Sequence, residues 1–586
     1  MHKAILFLLV LGLAGASRSA RAVTILSGPS LTANTNAPLA ALLQLTTDVP
    51  ARITVSVSDG TNAWQRRFYN YGTTHAETLL GFKPASTNTI TVTVYDRYRN
   101  QATAPQPLQF VASPLPTNFP TINLLQSQPD KMEPGYTLFN VIVHKSTYWY
   151  VTIVDSSGQV VWYDMAPSTA DVRFLDNGDL FMPWKTNFIE LNLLGQIVNS
   201  WLPPTSLPID VHDGVPTGHG TILYLSDAIE SVTNYPVNMT DPHALRTTAT
   251  ISYQKVVELS ATNASLLHTW SPISVLDPER ISYLISLVNG AWDSEHSNAI
   301  IEDPSDDSLI VSMRHQNAVV KIARSTGQLR WILGPPANWG PAWQPYLLQP
   351  VGSPFVWHYG QHSPIITPQG TLILFDDGNY RASPYDPGVA DTNNYSRAVE
   401  YSINEQTMQV SQVWDYGRTN ETDRLFVNRE GNAEPEPKTG NVLIDFAAVS
   451  YVNGAPPNRT YPTSNMVRIT EVTHDAVPQI VFDLAISAYA VNNPTNKDCS
   501  VYRCHRIPDL YGHPALPVAD LTITCKNGLA GLEFSADDFR TYVVEASTNL
   551  ADWEQLGTAV EDPQNPGDFS FQSTQGTGRY YRVLTQ

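Results

Sequence analysis

A short apolar run, a turn and a second apolar run that closes on a bulky side chain recur six times in the middle of this chain. The closing runs are GQVVWY from Gly158, GQIVNSW from Gly195, ASLLHTW from Ala264, GQLRWIL from Gly327, MQVSQVWDYG from Met408 and PQIVFDL from Pro478. The runs before them are YVTIVD, FIELN, KVVELS, AVVKIA, RAVEYS and MVRITE, with NGD, STGQ and PQG among the turns. Each run is short and bounded by turn residues, so each reads as a strand. Repeats of several strands at drifting spacing predict an all-β fold built on a six-bladed β-propeller over residues 121–512. A large sandwich or two smaller β-domains is the alternative.

The chain's 586 residues exceed one ordinary core. Residues 24–112 alternate with period 2, as in ARITVSVSDG and TNTITVTVYDR, which predicts an N-terminal β-sandwich. The Pro-rich 113–120 reads as a linker, and 518–586 as a small C-terminal β-domain without a catalytic cluster.

Net charge is −19, so neither a nucleic-acid partner nor an anionic membrane surface is favoured. Residues 1–22 combine a basic start, an apolar run from Ala4 and the small-residue site Ala20-Arg21-Ala22, which reads as a secretory signal peptide. Its removal takes Lys3, Arg18 and Arg21 away and the charge to −22. The expected location is therefore outside the cytoplasm, periplasmic or extracellular, with no later membrane span. Of three cysteines, Cys499 and Cys504 are close enough in sequence for a small-loop disulfide, leaving Cys525.

His212, His296 and His362 each stand just before the first strand of a unit, in VHDG, SEHSN and GQHSP. In a propeller the first strands line the central channel, so these residues, 84 and 66 apart, would converge at one mouth. PKTGNVLIDF puts Lys438 and Thr439 at the corresponding point of the last unit, while Arg314 and Asn298 belong to the His296 unit. Three histidines also suit zinc or iron, but the neighbouring Arg314 and Lys438 disfavour a cation, so no metal and no cofactor is expected. His219, His315 and His358 lack the repeat position and read as structural or rim residues. DPSDDS at 303–308 reads as a solvated turn, with a calcium loop the alternative. Trp339, Trp343, Trp357 and Tyr359 flank the third histidine and could stack an aryl ring or pack their loops.

The stretches WDSEHSNAIIEDPSDDSLIVSMRHQNAVVKIARSTGQLRWILG, WHYGQHSPIITPQGTLILFDDGN, SRAVEYSINEQTMQVSQVWDYG and VHDG resemble the bacterial arylsulfate sulfotransferase family. The resemblance runs over roughly 25–512. It implies a six-bladed propeller with an N-terminal sandwich and transfer of a sulfuryl group from an aryl sulfate donor to a phenolic acceptor, without a nucleotide sulfate. It implies His362 as nucleophile, His296, His212 and Arg314 as further catalytic residues, and Asn298, Lys438 and Thr439 at the sulfate. Some members carry a disulfide before the nucleophile; this chain has no cysteine before Cys499. The family includes dimers, which leaves a homodimer open.

These residue types suit that chemistry. Sulfuryl transfer resembles phosphoryl transfer, with charge growing on the leaving oxygen. Neutral imidazole is an available nucleophile near neutral pH, and Arg314 holds its charge and can make two parallel bonds to sulfuryl oxygens. His212 or His296 could protonate the leaving aryl oxide. A ping-pong cycle through a sulfohistidine follows. The competing readings are a non-catalytic propeller binding a sulfated or aryl ligand, and a metal-dependent hydrolase or lyase.

Overall fold

The computed structural model describes residues 23–96, 98, 100–144, 146, 149–166, 171–389, 393–418, 424–450, 465–490, 493–512, 519–526, 529–536, 541–548, 553–562, 567–573 and 580–585. The leader at 1–22 lies outside them. The fold is all-β: among the described residues the only helical elements are three short 3₁₀ turns, and no helix is long and apolar enough to cross a membrane.

Two compact units divide the chain. One gathers 23–114, 175–179 and 510–585. Its N-terminal part is a single hydrogen-bonded sheet of six strands, centred on Ala41–Ser58 and Thr87–Asp96. Burial alternates along Thr87–Asp96, as the period-2 sequence requires. Its C-terminal part forms two small sheets around Phe534, Tyr542, Phe569 and Tyr581.

The second unit, 115–174 with 180–509, contains six successive sheets whose pairing is antiparallel except for one parallel pair in each of two of them. Their leading strands are Cys504–Ile507, Arg173–Phe174, Gly214–Pro216, Ser297–Asp303, His362–Ile366 and Asn432–Pro435. The two ends of the unit are threaded into existing sheets. Thr121–Ser127 pairs with Ile480–Ser487 in the last sheet, and Cys504–Ile507 pairs with Tyr136–Val143 in the first.

The bulky residues closing the repeats now have a role. Trp162 donates its indole N–H to Leu193 O, Trp201 to Ala261 O, Trp270 to Arg324 O, Trp331 to a Glu405 carboxylate oxygen and Trp414 to Asp475 O. Each tryptophan belongs to one sheet and its acceptor to the next. The indole buries its apolar body between two sheets while satisfying its one polar atom.

Arg503, just before the closing strand, binds the inner ends of the others. It donates to Asp171 Oδ2 at 2.6 Å, Asp213 Oδ1 at 2.9 Å, Ser363 Oγ at 2.8 Å and Asn298 O at 3.0 Å. Burial disfavours its charge, but the carboxylates of Asp213 and Asp171 more than compensate and raise its pKa.

The disulfide reading is corrected, and the calcium alternative for the 303–308 turn is set aside. Cys499 and Cys504 are both free and buried. They pair with Val143 and Phe139 of one strand, which separates them by about 13 Å, beyond the ~7 Å a disulfide spans. In DPSDDS, Asp303 and Asp306 both take Lys321 Nζ, at 2.8 and 3.0 Å, so a cation already neutralises the turn and the calcium reading does not fit.

Removing the Arg503 guanidinium takes one of two bonded arginines from the buried carboxylates of Asp171 and Asp213, which then keep only Arg173 as an arginine partner. Arg503→Met is expected to lower unfolding free energy by about 3–5 kcal/mol, read from the midpoint of a urea titration.

Candidate active site

The loops that enter the leading strands meet at a cavity of about 530 Å³. His212, His296, His362 and Arg314 all line it. The His212 and His296 rings lie 4.7 Å apart, and Tyr502 stands 6.0 Å from His212 and 6.3 Å from His362. Two wall residues other than glycine, His296 (φ 48°) and Glu430 (φ 69°), adopt left-handed backbone, as does Ser363 (φ 50°) next to the wall residue His362. Such geometry costs about 1–3 kcal/mol per residue. Neighbouring bonds hold it: His296 O accepts Arg314 N–H, and Ser363 Oγ accepts from Arg503 while donating to Gly431 O. Gly360 (φ 69°) allows a close approach that a larger residue would block, because a Cβ there would lie 2.3 Å from Asn379 Oδ1.

Each of the three histidines rests its Nδ1 on an aspartate. His212 pairs with Asp210, His296 with Asp293 Oδ2 at 2.7 Å, and His362 with Asp377 Oδ1 at 3.1 Å. His362 Nδ1 is also 3.1 Å from Gly360 O, while its Nε2 accepts the Glu430 backbone N–H at 3.2 Å. The ring proton therefore sits on Nδ1, and Nε2 keeps a lone pair.

The electrostatics separate the three rings. Burial, reinforced by Arg314, His296 and His212, pushes His362 well below the ordinary imidazole range. His296 is lowered by burial despite Asp293. Burial also opposes charge on His212, but Asp210, helped by Asp293 and Asp227, outweighs it and raises the pKa. The set thus holds one imidazole biased toward the charged form and two biased toward the neutral form.

Arg314 is pinned from three sides. It donates to Asn428 O at 2.6 Å and His315 Nε2 at 3.0 Å, and its Nε lies 3.7 Å from Asp377 Oδ2. Burial pushes the Asp377 carboxyl well above its usual range, with Arg314 opposing.

Asn298 does not reach the cavity. It is fully buried, and its Nδ2 donates to Gln361 O at 2.8 Å, bracing the residue before His362. Lys438 and Thr439 are also elsewhere. The leading strand of the last sheet is Asn432–Pro435, so the loop before it, not the turn after it, comes to the cavity. Arg429 and Glu430 occupy the position expected for Lys438 and Thr439, whose backbone N–H groups bind Glu133 instead.

Several wall residues escaped the sequence reading. Tyr502 enters on the bend just before the closing strand, which carries no sign of the repeat. His315, read as structural, stacks on the His296 ring at 4.5 Å and lines the cavity. Trp149 and Tyr283 provide aromatic surface there. Trp339 instead stacks on Arg280, and Trp357 packs on Phe355. The aspartates behind His212 and His296 left a signal, D-x-H and D-x-x-H, that spacing alone could have exposed.

Asp293, His296 and His315 form the one cluster with metal-ligand spacing among the described residues. It does not fit an ion. His315 Nδ1 meets Asp293 O at 2.8 Å and its Nε2 meets an Arg314 N–H, so neither nitrogen has a lone pair to offer.

The chain belongs to the arylsulfotransferase (ASST) family, whose model matches residues 121–492. An arylsulfate sulfotransferase AssT of Escherichia coli O6:H1 is 28% identical over 332 residues, 46% of this chain and 53% of that protein. The AssT of Lelliottia amnigena is 28% identical over 281 residues, 40% and 44% of the two chains. The matches thus span about half the length of these relatives. A solved protein of unknown function from Bacteroides caccae, 12% identical, covers 63% of this chain and 94% of its own at a TM-score of 0.29, too low to carry an argument.

Lys438 is exposed and absent from the cavity wall. Lys438→Ala is expected to change the unfolding free energy by no more than about 0.5 kcal/mol, read from a urea titration.

Proposed function

We propose that this protein is an aryl-sulfate sulfotransferase that moves a sulfuryl group from an aryl sulfate ester to a phenolic acceptor through a sulfo-His362 intermediate. The observation that carries this reading is an imidazole biased toward its neutral form, with an unprotonated Nε2 bonded only by the Glu430 backbone N–H, on a cavity shared with Arg314 and a charge-biased His212. Family membership and the two AssT relatives support the same activity.

The donor's aryl ring lies against apolar wall such as Trp149 and Tyr283, with its sulfate beside Arg314. The Glu430 N–H bond to His362 Nε2 breaks, and the released lone pair attacks sulfur. The S–O bond breaks with its electrons on the aryl oxygen, which takes a proton from His212. Asp377 and Gly360 O hold the Nδ1 proton of the ring that becomes positive. A phenol then enters, returns a proton to His212 and attacks sulfur, restoring His362. No nucleotide, metal or redox partner enters this balance.

The same proposal includes the architecture. The six successive sheets, the tandem tryptophans and the threaded ends support a six-bladed propeller over 121–512. The long strands Ala41–Ser58 and Ala63–Leu79 carry register shifts near Ala51, which let the N-terminal sheet of 24–112 fold over as a sandwich. Residues 518–586 form the small C-terminal domain, and the leader directs export to the periplasm or the exterior.

Brief exposure to 4-nitrophenyl sulfate followed by intact-mass analysis tests the reading. A gain of one SO₃ that maps to His362 and disappears with phenol is expected. His362→Asn abolishes it, and Arg314→Met slows nitrophenol release about 10²–10³-fold. An adduct on another residue, or full turnover by His362→Asn, refutes the assignment.

A further inference from the structure

Three histidines are backed by aspartates, and the His212–Asp210 pair has two further carboxyl groups near it, those of Asp227 and Asp293. We propose that Asp210 is a positioning residue that holds His212 as the imidazolium which protonates the departing aryl oxygen. The proposal rests on sulfuryl transfer at His362 and deepens it.

The geometry is local and over-determined. Asp210 is buried, and its backbone N–H donates to Leu225 O. One carboxylate oxygen accepts both the His212 backbone N–H, at 2.9 Å, and the ring Nδ1. The residue after His212 is equally fixed. Asp213 Oδ1 takes Arg173 at 2.8 Å and Arg503 at 2.9 Å, and Oδ2 takes the Ile300 N–H at 2.8 Å. The ring is thus clamped from both sides in sequence. Its Nδ1 is spent on Asp210, which leaves Nε2 as the nitrogen free to serve the cavity it lines.

The other groups facing His212 agree. Asp227 approaches from the strand Thr221–Tyr235 and is held by Gln254 at 3.0 Å, and that glutamine also accepts the Ser297 N–H at 2.7 Å. Asp293, from the strand Ala291–Asp293, adds a further negative charge. The neighbouring rings of His296 and Tyr502 are biased toward their neutral forms, by burial in both cases. Three carboxyl groups therefore surround one imidazole, and Asp210 alone bonds it.

In the first half-reaction the Nε2–S bond forms at His362 as the S–O(aryl) bond breaks. The electron pair goes to the aryl oxygen, and the proton comes from His212 Nε2, leaving neutral His212 still bonded to Asp210. In the second half-reaction the acceptor's O–H proton returns to His212. Proton donation matters most when the leaving aryl oxide is strongly basic and least when it is already a stable anion.

This difference sets the test. Single-turnover rates are compared for phenyl sulfate and 4-nitrophenyl sulfate, whose leaving groups differ in basicity, in wild type and Asp210→Asn. The variant keeps the shape but removes the charge. A loss of about 10²–10³-fold with phenyl sulfate but less than about tenfold with 4-nitrophenyl sulfate is expected. Asp210→Glu, which keeps the charge, should recover part of the phenyl sulfate rate. Equal losses with both donors would mean only a structural role and overturn the proposal, as would no loss at all. If wild type transfers sulfuryl from neither donor, the parent reading fails instead.

A second measurement needs no variant. His212 titrates above its ordinary value of about 6.5, so its charged form is complete below that pH and lost as pH rises through the raised pKa. Wild-type turnover of phenyl sulfate should therefore fall on the alkaline side while that of 4-nitrophenyl sulfate stays level. Superimposable profiles would overturn the proposal even if Asp210→Asn did not fold.

Discussion

Arg503 is the side chain on which the rest of the site hangs. Its bonds reach groups next to each of the three histidines: Asp213 follows His212, Asn298 lies two residues past His296, and Ser363 follows His362. Asp171 adds the loop before Arg173–Phe174, and the next residue but one along its own strand, His505, reaches Glu434 of the last sheet at 2.7 Å. A guanidinium can do this because it is planar, permanently charged and carries five donors. Burying it is costly unless every partner is in place. The leading strands therefore have one arrangement that satisfies Arg503, and that arrangement brings the histidines together.

The same economy of charge shapes the cavity. The chain as a whole is acidic, yet two arginines and five histidines face one small space. The aspartates behind the rings orient them without lining the space equally. Burial and then Arg314 bias His362 toward the neutral form, whereas His212 is surrounded by carboxyl groups and favours the charged form. One residue type thus takes two protonation states in one pocket, through differences in neighbours alone.

Much of the all-β character was legible because strand periodicity and turn residues are local signals. The three histidines were legible because a repeated position is visible in sequence even when its spatial consequence is not. Lys438 and Thr439 were misplaced for an instructive reason. The strand NVLIDF is the strongest apolar run of its unit and so reads as the leading strand, whereas the short, polar Asn432–Pro435 leads the sheet. Period-2 patterning favours long buried strands and passes over a four-residue one held by backbone pairing. Asn298 was read as a ligand contact because it follows His296 closely, but strand alternation turns it inward to Gln361.

The sequence by itself determined the class of fold, the succession of β-units and the identity of the histidines and of Arg314, since these follow from periodicity, repeat position and motif. Tertiary structure alone decided which residues share the cavity and what charge each ring prefers. Tyr502 and Arg503 come from the far end of the unit, and the pairing of His362 with Asp377 crosses a hairpin. Proton affinities depend on burial and on charges brought within a few ångströms by folding, and no linear spacing encodes those distances.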